Sequence, residues 1–158
     1  MAAIVPNPAY SDQFARMAPP AIQVKSSDWG SKLRCSYSKV TYAGTTGTAG
    51  VIRLMKLPAG KLRILGFLSR IAGVHSVAAL RYDIGYLAHT QEDGTPVVAD
   101  PNGLASAQDP DTTAVLDETT EIREFDSREG VEVQATIQAG TLTAGDVLRL
   151  WLVYQQGN

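Results

Sequence analysis

The chain has 158 residues, a formal net charge of -2, 44% hydrophobic residues and one cysteine. A domain of this size buries roughly 68–70% of its unfolded surface and folds without metal or crosslink, and a charge this close to neutral supplies no basic field for nucleic acid. With Cys35 alone, an internal disulfide and a four-cysteine metal site are excluded; free cysteine is among the most buried residue types, so Cys35 is expected as an inert core thiol.

Residues 1–8 lack the basic start and the apolar run of roughly 7–15 residues that a signal peptide needs, so no secretion is expected. Residues 1–28 carry Pro6, Pro8, Pro19 and Pro20 among the apolar residues Ile4, Val5, Tyr10, Phe14, Met17, Ile22 and Val24. Proline fixes φ and removes a backbone donor, which predicts an extended arm rather than a central strand. One helical turn fits at residues 11–17, with Ser11 as its N-cap. Spaced large apolar side chains on an extended segment predict packing along its own domain or on a neighbouring subunit; a frayed tail is the alternative. Trp29 lies in a polar turn, Ser26 to Gly30, and is expected as an exposed aromatic anchor at a subunit contact.

Residues 29–158 read as an all-β domain. Leu33, Cys35 and Tyr37 alternate with Arg34, Ser36 and Ser38, and a Gly/Thr-rich stretch over 43–50 separates this strand from one at 51–57. Pro58 and Gly60 supply a turn into a strand over 61–71, with Gly66 as a bulge. Residues 80–87 form the next strand, with Leu80, Tyr82, Ile84 and Tyr86 on one face.

Between residues 90 and 120 the periodicity fails and Asp-Gly, Asp-Pro and Asn-Gly pairs mark repeated turns. Structureless loops beyond roughly 12–15 residues are uncommon, so a short helix is expected within this excursion, around 111–120. A short strand follows at 121–125. The chain then makes a hairpin, with Val131, Val133, Ala135 and Ile137 on one face and Glu132, Gln134, Thr136 and Gln138 on the other. Its second strand, 147–154, is apolar almost throughout and reads as nearly all core, a pattern that does not distinguish the face covered by a second sheet from one covered by another subunit. The whole predicts an antiparallel β-sandwich or jelly roll with an extended arm and one long excursion. The longest apolar stretches fall well below the roughly 20 residues of a membrane-spanning helix.

No assembled catalytic chemistry is visible. His75 and His89 match no metal-ligand spacing and are expected as solvated or hydrogen-bonded histidines near strand ends. Cys35, His75 and Asp83 can be drawn as a triad, but no local signature supports it. The 44–50 stretch lacks the Lys-Ser or Lys-Thr that closes a phosphate loop, since Val51 and Ile52 follow Gly50. Asp93, Asp100, Asp109 and Asp111 match no calcium loop and are expected to form turns. Tyr82, Tyr86, Trp151 and Tyr154 sit on apolar strands and are expected in the core rather than as a stacking platform. No metal, cofactor, nucleic acid or membrane partner is expected.

The strand-and-turn runs at 50–60, at 80–86 followed by Asp93 to Thr95, and at 131–136 followed by 140–146 resemble the head cement or decoration proteins of tailed bacteriophages, small virion proteins of jelly-roll type. The resemblance implies a non-enzymatic protein, made in the host cytoplasm, that binds the outer surface of the assembled capsid. It further implies a homo-oligomer, dimer or trimer, that bridges major capsid subunits and stabilises the shell. On this reading the arm and the 90–120 excursion clamp the capsid. The alternatives are another virion component, such as a head-fibre base or tail adaptor, and a soluble carbohydrate-binding module with an exposed aromatic row.

Overall fold

A computed structural model describes residues 32–43, 50–109, 111, 114–116 and 123–157. The arm candidates Ile4, Val5, Tyr10, Phe14, Met17, Ile22 and Trp29 lie outside the described residues, as do loop positions 44–49. In chain order the strands are β1 (Lys32–Thr41), β2 (Val51–Leu57), β3 (Gly60–Ile64), β4 (Arg70–Val74), β5 (Arg81–Tyr86), β6 (His89–Thr90), β7 (Pro96–Val97), β8 (Asp100–Gln108), β9 (Ala114–Val115), β10 (Arg123–Ser127), β11 (Val131–Ala139) and β12 (Val147–Gln156).

Two antiparallel sheets form the sandwich. One has the order β2-β11-β5-β8. In the other, β12 is the central strand: β1 pairs with it along one edge, and β3 and β4 share its opposite edge, with β10 beyond β3 and β9 beyond β4. β6 and β7 make a separate hairpin. The buried core joins Val131, Val133, Ala135 and Ile137 of β11 and Tyr82 and Ile84 of β5 to Leu148, Leu150, Leu152 and Tyr154 of β12. These are the faces that alternation assigns to the core, and the all-β sandwich expectation holds.

Several local expectations change. The run 61–71 is two strands, because Gly66–Leu68 forms a 3-10 turn rather than a bulge. Leu65 N–H donates to Val153 O at 2.9 Å, and Val153 N–H donates to the buried Ser69 Oγ at 3.0 Å. The turn therefore steps past Val153 while both of its backbone groups stay bonded. The two faces of residues 147–154 separate: Leu148, Leu150, Leu152 and Tyr154 are buried, whereas Val147, Arg149, Trp151 and Val153 are half-buried. In β1 the apolar residues Leu33, Cys35 and Tyr37 turn outward and Ser36, Ser38 and Val40 are the better-covered set. Cys35 is accordingly exposed, not a core thiol.

Among its described residues the excursion contains strands. β6, β7 and the nine-residue β8 lie inside it, and β8 pairs with β5 through two register shifts with a positive φ of 52° at Ala107. Those shifts erase the period of two that would have announced the strand. Within 111–120, Ala114–Val115 pairs with Arg70 and Ile71 as strand, where a helix was expected. The aspartates act as turn formers: Asp93, Asp100 and Asp109 each accept a hydrogen bond from the backbone N–H two residues on.

Candidate interaction face

Residues directly opposed across a ladder share a face, so the register of β12 with its neighbours lays out the outer surface of the larger sheet as a grid. Leu33 stands beside Gln155, Cys35 beside Val153, Tyr37 beside Trp151, and Lys39 beside Arg149. On the other edge of β12, Trp151 is followed by Arg70, Arg149 by Ala72, and Val147 by Val74. Tyr37 and Trp151 touch, with ring centroids 5.2 Å apart. Leu33 is 57% exposed and Tyr37 52%. The turn beside Val153 leaves Phe67 and Leu68 exposed as well.

This is an apolar, aromatic surface set among cations. β1, β12 and β4 contain Lys39, Arg149 and Arg70 on it and no aspartate or glutamate anywhere. Arg63, at the margin, is neutralised by Glu124, to which its Nε donates at 2.9 Å. Aromatic residues and arginine around an apolar centre are the composition that separates binding surfaces from ordinary protein surface. The outer side of the smaller sheet is polar instead: Arg53, Glu132, Thr136 and Asp83 lie there, with Arg53 and Glu132 3.6 Å apart and Gln134 buried beside them.

The near-neutral total conceals a segregation of charge that was legible in the sequence. Between Asp28 and Asp83 every charged residue is Lys or Arg; between Arg81 and Arg123 every one is Asp or Glu. Folding sends the first block to β1–β4 and, with Arg81, to the start of β5, and the described acidic residues to the segment from β5 to β9. In the acidic block, Asp109 Oδ2 lies 3.0 Å from Arg81 Nη2, and Asp83 accepts from Ser106 Oγ and Ala107 N–H. Glu92 and Asp93 are exposed at the tip of the β6–β7 hairpin, and Val98 just beyond it is 79% exposed. Hydrogen bonds from the Thr95 backbone N–H and hydroxyl hold the Asp93 carboxyl below the ordinary aspartate range.

The remaining titratable groups are structural. The imidazole of His75 is fully buried, with Nδ1 3.0 Å from Asp111 Oδ1 and Nε2 3.1 Å from Tyr82 Oη. Burial, reinforced by Asp146 and Asp111, pushes the Tyr82 phenol well above its ordinary range, so it stays neutral. Burial opposes charge on Asp146, but N–H groups and hydroxyls of Thr143 and Ser76 outweigh it and lower the carboxyl. The histidine expectation is met in its hydrogen-bonded form. His75 has Asp111 and Tyr82 as partners while Cys35 lies on the outer face, so Cys35, His75 and Asp83 are not brought together as a site. Of the aromatics, Tyr82 and Tyr154 are buried, Tyr86 packs edge-on against Phe125 at 4.9 Å, and Trp151 lies on the outer face beside Tyr37.

No family model and no curated protein matches the chain. Its fold is similar to that of a chain in the cyanophage Pam1 capsid asymmetric unit, with a TM-score of 0.51 and 14% identity over 81% of this chain and 87% of that one. It also aligns with a chain from the capsid of Ralstonia phage GP4, with a TM-score of 0.49 and 14% identity over 80% of this chain and 86% of that one. At 14% identity, what this chain shares with the Pam1 capsid chain is the antiparallel β-sandwich of jelly-roll type.

Proposed function

We propose that this chain is a non-enzymatic structural component of a tailed-bacteriophage virion, a cement or decoration protein that binds the outer surface of the capsid and bridges major capsid subunits. The observation that carries this reading is the face around Tyr37 and Trp151, open among the described residues, whose aromatic and arginine content suits burial against a neighbouring subunit of a repeating protein shell. The fold shared with a phage capsid chain and the proline-rich arm of residues 1–28 support the same reading. Many copies on a closed lattice bind through avidity, so each contact can be modest.

Quantitative mass spectrometry of purified virions tests the proposal. A ratio to the major capsid protein near parity, or a simple fraction of it, is the expected result. A few copies per particle would move the protein to a vertex or the tail, and absence from particles would overturn the virion reading.

A further inference from the structure

We propose that the cationic apolar face of one copy receives the acidic β6–β7 hairpin of a second copy, a head-to-tail contact that builds the homo-oligomer. Two identical faces meeting across a two-fold axis would gather Lys39, Arg149 and Arg70 of both copies into one interface with no carboxylate from β1, β4 or β12 to offset them, which like-charge repulsion opposes. Pairing through the edge of β1 that no described strand pairs with is opposed in the same way, because the charged residues of β1, Lys32, Arg34 and Lys39, are all cations. A face of this kind takes a partner that brings carboxylates, and the chain carries one.

The hairpin tip is such a partner, and it is held in one shape before binding. Gln91 N–H donates to Thr95 O at 2.8 Å, Gly94 N–H to Gln91 O at 3.0 Å, and Thr95 N–H to Asp93 Oδ1 at 2.8 Å. A preformed tip avoids much of the ordering cost of association. It presents Glu92 and Asp93 at its turn, with the exposed Val98 following β7 at its base, and it is carried by β5 and β8 of the smaller sheet rather than by the sheet that bears the face. The two complementary surfaces of one copy are therefore different patches, which makes the contact heterologous; such contacts close into rings where the rotation allows. In the virion this leaves the arm, rather than the excursion, for the shell.

Sedimentation velocity on the full chain over a range of concentrations tests the contact without any virion, so its failure is distinct from failure of the capsid reading. The wild type is expected to self-associate, and more weakly in about 1 M salt than at about 0.1 M, where screening is less. Lys39→Glu with Arg149→Glu, and separately Glu92→Lys with Asp93→Asn, should each weaken association by about a hundredfold or more, as opposed like charges do. Asp93→Asn keeps the acceptor for Thr95 N–H, and Lys39→Glu alone, at an exposed position, serves if the double variant misfolds. Mixing the two reversed variants should restore association, since the acidic face of one then takes the basic hairpin of the other, and the converse pair also matches. A monomeric wild type at every concentration, an oligomer indifferent to both reversals, or no recovery on mixing would each overturn the proposal. A monomer that begins to associate only when residues 1–24 are deleted would assign the face to the chain's own arm instead.

Discussion

Tyr37 and Trp151 stand directly opposite each other across the β1–β12 ladder, ring centroids 5.2 Å apart, on the side of the sheet that faces away from the core. An aromatic pair of this kind adds about 0.5–1.5 kcal/mol beyond the area it buries. Tyr37→Ala should therefore cost about 1 kcal/mol in urea unfolding, yet substantially weaken self-association. If stability falls by as much as for a core truncation, about 3–5 kcal/mol, the ring belongs to the core rather than to an interface.

Tyr82→Phe removes one hydroxyl from the sealed interior and leaves His75 Nε2 without its partner. A buried polar atom stripped of its hydrogen bond costs about 1–3 kcal/mol, and urea denaturation should find the loss in that range. In ultraviolet titration the Tyr82 phenol should ionise only as the protein unfolds in alkali, after the exposed tyrosines.

Asp146 accepts from Ser76 N–H and Oγ and from Thr143 N–H and Oγ1, at 2.8 to 3.1 Å, and so ties the β11–β12 turn to the segment after β4. Its folded carboxyl titrates below the unfolded value of about 3.9. The stabilisation is complete above that unfolded value and is lost as pH falls through the lower folded one. Asp146→Asn should be destabilised by about 1–3 kcal/mol at pH 7, and the gap to wild type should close on acidification. A gap that is constant with pH would show that charge on Asp146 plays no part.

Cys35 is exposed beside Val153 and within the aromatic face. A thiol reagent should label it in the folded protein without denaturant, and concentration-driven association should protect it. Resistance of the monomer would place Cys35 back in the core.

Deleting residues 1–24 should leave the cooperative unfolding of the sandwich intact and abolish binding to purified capsids. Binding that survives the deletion would remove the arm from the shell contact.

The strands that alternation reveals are those whose pairing is regular. β11 presents Val131, Val133, Ala135 and Ile137 to the core despite its register shift near Val133, and β5 presents Tyr82 and Ile84. β8 escaped notice because two register shifts scramble its period. β1 misleads for another reason: alternation separates two faces but does not say which is inside, and here the apolar set of Leu33, Cys35 and Tyr37 is the outer one. The same ambiguity hides, in the apolar run 147–154, which face packs on the second sheet and which is partly open. The charge blocks that frame the interaction face needed no structure at all, only a reading of sign along the chain rather than of its sum.

The position of β12 also governs when the protein can fold. It is the last of the described strands in chain order and the one that β1, β3 and β4 all pair with. During synthesis those strands emerge with no template between them, and the larger sheet cannot close until Val147–Gln156 has cleared the ribosome. The nascent chain must therefore carry unpaired strand edges and the apolar half of its core through translation, which makes this stage the window for aggregation and for chaperone capture.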